Sequence, residues 1–149
     1  MGAIIRNKEG LFSYEVLEKY TAGLVLSGPE VKAVKGGQIS LKGSYVSIDA
    51  NNEAWLVNCH ISPYKPASGQ QQGYQPNQPR KLLLNRKEIN SLIGKSKQKG
   101  LTIIPISVYT SRRLIKVEIG LARGKTQVDK RDSIRKREID REIRRTLKR

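Results

Sequence analysis

Apolar and polar positions alternate with a period close to two along several stretches of the chain, a pattern typical of β-strands that bury one face. Residues 12–26 alternate loosely and are rich in β-branched and aromatic side chains, which predicts one or two strands. Residues 101–109 are strongly apolar, and residues 114–121 alternate again after a turn at 111–113. We therefore expect the last two stretches to form a β-hairpin.

A second hairpin is predicted near the middle of the chain. Residues 45–48 and 54–57 favour strands, and Asn51 and Asn52 lie between them as turn residues. Residues 80–84 then lead from a basic pair into a short apolar strand or turn. Five or six short antiparallel strands with two small helices predict a mainly-β fold, and more specifically a closed OB-like barrel.

The two helices are predicted from their capping patterns. Ser27 is followed three residues later by Glu30, with a proline in the first turn, and Asn85 repeats this pattern. The first helix should stop at the glycine pair 36–37, and Gly100 should end the second. An apolar stripe is expected on the second helix at Ile89, Leu92 and Ile93.

Composition divides the chain into a compact domain, residues 1–122, and a C-terminal tail, residues 123–149. The tail carries 12 Lys+Arg and 5 Asp+Glu, a formal charge of +7 out of the chain's +16. Ile139, Ile143 and Leu147 form a narrow apolar stripe, so we expect a tail that is disordered when free and helical against a partner. A solvated surface helix and a permanently disordered tail are the alternatives.

Residues 65–79 interrupt the strand pattern of the compact domain. They contain five Gln, three Pro and two Gly, and no alternation of apolar side chains. A segment of this composition has no face to bury against a core. We therefore expect a mobile loop there.

Composition and charge limit the classes of function. No apolar run approaches 18 residues, and the N-terminus has no hydrophobic stretch typical of a secretion signal. One Cys and one His leave no disulfide framework and too few ligands for a Cys/His metal site, and no Walker-type glycine loop is present. We expect a monomeric cytoplasmic protein with no cofactor and no membrane association, whose charge of +16 favours a polyanionic partner.

Two pairs of residues resemble reactive groups, and both have simpler explanations. Cys59 and His60 are neighbours, and neighbours on a strand point to opposite faces, so they should not form a nucleophile–base pair. Asp129 and Asp132 lie at a predicted helix start, where acidic side chains interact favourably with the helix dipole. An enzyme, such as a nuclease that uses His60, is therefore the weaker class of function.

Binding of RNA agrees better with the residues. Basic side chains attract phosphates in any sequence, and barrels of the OB type stack bases on exposed aromatic rings. A structural role in the core or in a half-buried strand is the alternative for each aromatic residue. The candidates for stacking are Tyr14, Tyr20, Tyr45, Trp55, Tyr64 and Tyr109.

Several blocks of sequence, taken in order, resemble the small protein B family, the SsrA-binding proteins of bacterial trans-translation. The resemblance extends from about residue 7 to the C-terminus. The blocks are residues 22–32 (AGLVLSGPEVK), 43–45 (GSY), 60–64 (HISPY), 79–84 (PRKLLL), 92–95 (LIGK), 99–102 (KGLT), 120–125 (GLARGK) and 129–131 (DKR).

The resemblance implies a fold and a function. The family's fold is an antiparallel OB-like barrel with flanking helices, and its members bind the tRNA-like domain of transfer-messenger RNA. They carry this RNA to ribosomes that stall without a stop codon. The barrel would replace the missing anticodon arm, and the tail would become helical in the decoding centre and empty mRNA channel of the small subunit, among its ribosomal RNA.

The resemblance also implies roles for individual residues. RNA contacts on the barrel are expected at Leu83, Asn85 and Lys116, with Thr21, Arg80 and Lys81 as further candidates. Asn85 has a second explanation as a helix cap. Gly124 matches the glycine between barrel and tail, where the absence of Cβ allows the chain to redirect. The tail residues implied to act on the ribosome are Asp129, Lys130, Arg131, Arg135, Lys136 and Arg137.

Some positions depart from the family pattern. Thr21 stands where members often have an acidic residue, and Phe12 takes the place of a histidine. Residues 7–10, NKEG, replace a more basic run, and Val128 replaces an aromatic residue or histidine. The glutamine-rich loop at 65–79 is also unusual.

Two functions of different classes remain open from the sequence. The first is a non-enzymatic adaptor that binds transfer-messenger RNA on the barrel and the ribosome through the tail. The second is a general RNA-binding or ribosomal structural protein that uses the same barrel without rescuing ribosomes.

Overall fold

The computed structural model describes residues 3–65 and 73–125 of the chain. Strands dominate these ranges, so the prediction of a mainly-β fold is confirmed. The elements are β1 (Ala3–Arg6), α1 (Lys8–Ser13), β2 (Tyr14–Leu24), α2 (Gly28–Lys35), β3 (Ile39–Ser40), β4 (Tyr45–Ile48), β5 (Ala54–Val57), β6 (His60–Ile61), β7 (Arg80–Leu83), α3 (Arg86–Ser96), β8 (Leu101–Ser111) and β9 (Leu114–Gly124).

One large antiparallel sheet organises the molecule. Its seven strands lie in the order β1-β8-β9-β2-β7-β5-β4, while β3 and β6 pair separately. The three longest strands, β2, β8 and β9, have 11 residues each and pair along most of their length. Alternate residues of β9 from Ile115 to Ile119 are buried, whereas Lys116 and Glu118 face away from the core. The predicted hairpin of 101–109 and 114–121 is thereby confirmed.

The sheet is open, although the sequence predicts a closed barrel. β1 and β4 are its edge strands, and among the described residues no hydrogen-bonded ladder joins them. The sheet curls so far that β4 approaches β8, the second strand from the opposite edge. Closure requires edge strands that pair in a staggered register, and both edge strands here have only four residues.

Both predicted helix starts are confirmed. Ser27 caps α2 and Asn85 caps α3, and each helix begins with a capping box in which the side chain of the third helical residue bonds back to the cap. α2 ends at Lys35 with Gly36 as its C-cap, and Gly37 has a left-handed φ of 79°. α3 ends at Ser96, four residues before the predicted end at Gly100. On α3, Leu92 is buried between the half-buried Ile89 and Ile93.

The N-terminal segment differs from the prediction that a strand begins at residue 12. β1 precedes a short helix, α1, that includes Phe12, and β2 begins only at Tyr14. Asn7 determines this arrangement, because its buried side chain donates to the Pro105 carbonyl (2.8 Å) and accepts from the Gly10 amide (3.0 Å). The partner on β8 is 98 positions away in the chain, so no local pattern signals it.

The second half of the predicted mobile loop is anchored to the domain. The Ile61 amide donates to the carbonyl of Pro76 (3.1 Å), and the hydroxyl of Tyr74 lies 2.9 Å from the Ile61 carbonyl. Residues 66–72, which include the Gln70–Gln72 run, lie outside the described residues. Residues 74–78 are therefore hydrogen-bonded to the domain, and the mobility of the segment stays a prediction.

The end of β9 moves the predicted boundary between domain and tail. Gly124 pairs with Tyr14, and the Lys125 amide donates to the Ser13 carbonyl (2.9 Å), so residues 123–125 belong to the domain. Gly124 does not have a left-handed φ, and a Cβ built there would meet nothing within 4 Å. Gly124 is the last residue of β9 and still pairs in the sheet, so the chain does not change direction up to Lys125.

Candidate nucleic-acid interface

Strand register places four residues from separate strands in one row across the sheet. Gly23 of β2 pairs with Leu83 of β7 on one side and with Lys116 of β9 on the other, and Lys116 pairs with Tyr109 of β8. Directly opposed residues in an antiparallel sheet share a face. Each of these residues has at least one buried chain neighbour, so the row lies on the side of the sheet away from the core.

Shorter rows flank this one on the same face. Lys81 pairs with Trp55 of β5 on one flank, and Thr21 pairs with Glu118 on the other. We call the combined surface the outer face, defined by Leu83, Gly23, Lys116, Tyr109, Lys81, Trp55 and Thr21. It brings together four of the six predicted RNA contacts and two of the six predicted stacking residues.

The centre of the outer face is flat because Gly23 has no side chain. A Cβ built on Gly23 would lie 3.5 Å from the Leu83 Cβ, which is ordinary contact. The fold therefore tolerates a side chain at this position, and its absence leaves backbone accessible between an exposed Leu83 and Lys116. A partner with a flat ring or a sugar–phosphate backbone can approach the strand closely here.

The Trp55 ring is held in one orientation by the turn that precedes it. The carboxylate of Asp49 accepts hydrogen bonds from the amides of Asn51 and Glu53 through Oδ1 and from the Trp55 indole through Oδ2 (2.8 Å). The Glu53 amide and the indole are the main causes that lower the pKa of Asp49 below its ordinary value. Trp55 is half-buried, so an oriented part of the ring reaches the surface beside Lys81.

The electrostatics of the outer face favour anions. Lys116 forms no ion pair among the described residues, whereas Lys81 lies 3.7 Å from Glu53 with both side chains about 40% exposed. Glu118 is partly neutralised by Lys19 at 3.7 Å. Exposed pairs of this length are weak and are screened by salt, so the lysines in them can still bind an anionic partner.

Asn85 lies next to the outer face; its predicted role as a helix cap is confirmed, and its RNA contact stays a prediction. Its side chain accepts from the Glu88 amide (2.9 Å), so it caps α3, and it is exposed two residues after Leu83. A substitution at Asn85 therefore changes the helix start and the surface together.

The position of Arg80 disagrees with the prediction that this residue contacts RNA. Its side chain is only 2% exposed, and its Nη2 lies 2.8 Å from Oε2 of Glu30 on α2. The guanidinium also donates to the Tyr74 hydroxyl (2.8 Å) and to the carbonyl of Cys59. On a strand, neighbours point to opposite faces, so Arg80 points inward where Lys81 points outward. No guanidinium surface is left for a phosphate.

The buried ion pair is fully bonded. Burial opposes ionisation of Glu30 most strongly, but the Ser27 amide, Arg80 and the Tyr74 hydroxyl together lower the pKa of Glu30 below its ordinary value. Burial raises the pKa of Tyr74 to about 12, so its hydroxyl remains protonated. The sequence indicated Glu30 only as a capping residue, and neither Glu30 nor Tyr74 carries a signal for this contact.

The other four candidate stacking residues are not among those that define the outer face. Tyr20 bonds to Glu18 (2.8 Å), which also binds Lys95, and the three side chains join β2 to α3. Tyr64 is half-buried beneath Lys32, whose Nζ lies 5.6 Å from the ring centre. Tyr14 and Tyr45 line a cavity of about 330 Å³ between α1 and β4.

The structure gives Cys59 and His60 separate environments. Cys59 is fully buried, and burial raises the pKa of its thiol to about 11. His60 is exposed, and its Nδ1 lies 2.8 Å from Oδ1 of Asn77. These side chains therefore do not form a nucleophile–base pair.

Within residues 3–65 and 73–125, no group of three or more His, Cys, Asp or Glu side chains is placed to hold a metal ion. No helix in these ranges is long and apolar enough to cross a membrane. The candidate residues Asp129, Lys130, Arg131, Arg135, Lys136 and Arg137 lie beyond these ranges.

Comparison with known proteins gives one consistent result. The model of the SmpB protein family matches residues 4–149. An SsrA-binding protein of Gloeothece citriformis is 50% identical over 146 residues, which cover 98% of this chain and 93% of that protein. Another from a Sulfurihydrogenibium species is 48% identical, over 97% of this chain and 93% of that protein.

A solved structure has a similar fold. It is described as "tmRNA-SmpB: a journey to the center of the bacterial ribosome", and the matching chain has a TM-score of 0.68 and 38% identity. The match covers 88% of this chain and 94% of that one.

Proposed function

The chain belongs to the SmpB protein family, and on that premise we propose that it is the adaptor of trans-translation that binds the tRNA-like domain of transfer-messenger RNA. It delivers this RNA to stalled ribosomes in the bacterial cytoplasm and works by binding, without a catalytic step. The curled sheet, with β4 close to β8, is then an incompletely closed barrel of the OB type.

The row formed by Leu83, Gly23, Lys116 and Tyr109 carries the proposal. It combines a lysine that has no ion pair within residues 3–65 and 73–125, an exposed apolar side chain, flat backbone and an aromatic ring on one surface. These are the groups that hold phosphate, ribose and base in structured RNA. Lys81 and Trp55 extend the same chemistry toward β5.

We assign the ribosome contact to the residues after Lys125. Their charge is carried mainly by Lys and Arg, and the residues implied to reach the decoding centre and the mRNA channel are Asp129, Lys130, Arg131, Arg135, Lys136 and Arg137. A basic, weakly apolar segment repels itself when free, and ribosomal RNA phosphates would screen that repulsion.

Binding to transfer-messenger RNA at near-physiological salt, with excess bulk transfer RNA as competitor, tests the proposal. The competitor is essential because a protein of charge +16 binds any RNA at low ionic strength. We expect binding that survives the competitor and weakens with Lys116→Ala. Lys97→Ala, which makes the same charge change beyond the end of α3, should leave it unchanged.

Binding that the competitor abolishes would favour a general RNA-binding protein instead. A chain that ends at Lys125 separates the two halves of the proposal, because the last described hydrogen bond to the domain is made by Lys125. This chain should retain affinity for transfer-messenger RNA and lose rescue of stalled ribosomes. Loss of RNA affinity on this truncation would contradict the division of roles.

A further inference from the structure

The turn between β8 and β9 has an unusual backbone. Ser111 pairs with Leu114, and the two residues between them, Arg112 and Arg113, have φ values of 49° and 72°. Two successive left-handed residues define a type I′ hairpin, for which Asn-Gly is strongly preferred. The other described non-glycine residues with positive φ are both asparagines, so this turn is the exception.

No contact in the described part of the chain explains why arginine occupies positions 112 and 113. Both side chains are exposed, and neither makes an ion pair or a side-chain hydrogen bond within residues 3–65 and 73–125. Arg80 and Arg123, by contrast, each bind a carboxylate. Arginine therefore adds conformational strain to the turn without compensating contacts.

The turn continues the outer face. Leu114 is 59% exposed and lies two residues before Lys116, so the two share a face of β9. Arg113 is three residues from Lys116, about 10 Å along an extended strand. An RNA backbone that reaches Lys116 can continue toward the turn within two phosphate spacings.

We propose that Arg112 and Arg113 form a second contact for RNA, in which the strained turn directs both guanidinium groups at successive phosphates beyond Lys116. The inference rests on the proposed function, because it extends the same RNA-binding surface. Guanidinium groups bind phosphate oxygens in a bidentate manner, and neither group has an ion pair to break among the described residues.

Replacing the turn by the sequence it prefers separates this role from a structural one. In the full-length chain, Arg112→Asn with Arg113→Gly should raise the midpoint of thermal unfolding, because both residues then tolerate a positive φ. The same double variant should bind transfer-messenger RNA about 10-fold more weakly, with the slope of log affinity against log salt reduced by about 2.

Two control variants define the comparison. Arg112→Lys with Arg113→Lys retains both the strain and the charge, so its affinity should remain within a few-fold of the unmodified chain. Lys97→Asn with Lys99→Asn removes two charges near the start of β8, at the opposite end from the turn, and should leave affinity for transfer-messenger RNA unchanged.

Bulk transfer RNA as a second probe keeps the two proposals distinguishable. The inference would be overturned if the variant Arg112→Asn with Arg113→Gly bound both RNAs as tightly as the unmodified chain. Unfolding of this variant at a lower temperature would also overturn it. An unmodified chain with no preference for transfer-messenger RNA would contradict the proposed function instead. The affinity of the double variant for bulk transfer RNA would then still test the turn contact.

Discussion

The two sides of β7 use neighbouring cations in opposite ways. Arg80 points into the domain and is 2% exposed, with its guanidinium 2.8 Å from the Glu30 carboxylate. Lys81 points outward, is 40% exposed and lies 3.7 Å from Glu53. One residue of offset along a strand therefore separates a cation that holds the fold together from a cation that is free to bind a partner.

The difference teaches that basic residues count toward RNA binding only where they are not already neutralised. A buried guanidinium must be paired and fully hydrogen-bonded, because an uncompensated charge in the interior is strongly destabilising. An exposed lysine in a weak pair with a carboxylate 3.7 Å away keeps its water and exchanges it for phosphate at little cost. The adjacent letters R and K in the sequence do not distinguish these two states.

The largest effect on stability should come from the inward side of β7. Arg80→Met leaves Glu30 buried without its cation, and we expect the free energy of unfolding to fall by about 3–5 kcal/mol. Urea denaturation at neutral pH measures this. The double variant Glu30→Gln with Arg80→Met should recover part of the loss, since it removes both charges. A double variant no more stable than Arg80→Met would show that the pair is not the cause.

Acid should weaken the same contact. The folded-state pKa of Glu30 is below its ordinary value, so the pair stabilises the fold above the unfolded-state pKa, and this stabilisation is lost as pH falls through the folded-state pKa. Unfolding free energies measured from pH 7 to pH 3 should therefore decline. The decline should be shallower in Glu30→Gln, and equal declines in both proteins would assign the acid sensitivity to other carboxylates.

On the outward side, the aromatic ring should affect binding more than folding. Trp55→Leu removes a half-buried ring beside Lys81, and we expect affinity for transfer-messenger RNA to fall by about 1–3 kcal/mol, the usual value for one stacked base. Trp55→Phe keeps a ring and should retain most of the affinity. Equal binding by the Leu and Phe variants would indicate that Trp55 does not stack on a base.

The smallest effect on stability should come from Lys81. Lys81→Met breaks an exposed pair with Glu53, so the free energy of unfolding should change by less than about 1 kcal/mol. The slope of log affinity for RNA against log salt should fall by about 1, as for one phosphate contact. A stability loss as large as that of Arg80→Met would remove the contrast between the two sides of β7.

Local signals in the sequence were sufficient for α2, α3 and the main hairpins. Ser27 and Asn85 start helices because each satisfies amides in its own first turn, which needs no distant partner. The strands of residues 101–109 and 114–121 follow from alternation and a short turn. The N-terminal helix was not predictable in this way, because the Asn7 side chain is held by Pro105 on β8.

The sequence predicted several residues of the candidate interface, but only part of how they are arranged. Resemblance to the family indicated Leu83 and Lys116, and alternation indicated that Lys116 faces away from the core. Gly23 and Asp49 had no comparable signal, since each matters only through the residues beside it on other strands or across the turn. Arg80 was wrongly grouped with Lys81 because the sequence does not show which face of β7 meets α2.

By itself, the sequence determined a mainly-β basic domain, its helix starts, its hairpins and its family. These properties depend on composition and on contacts within a few residues. The tertiary structure decided that the sheet stays open, that Arg80 is buried against Glu30, and that Leu83, Gly23, Lys116 and Tyr109 form one row. The physical reason is that strand register and long-range ion pairs join residues dozens of positions apart, and only the packed sheet selects which of them meet.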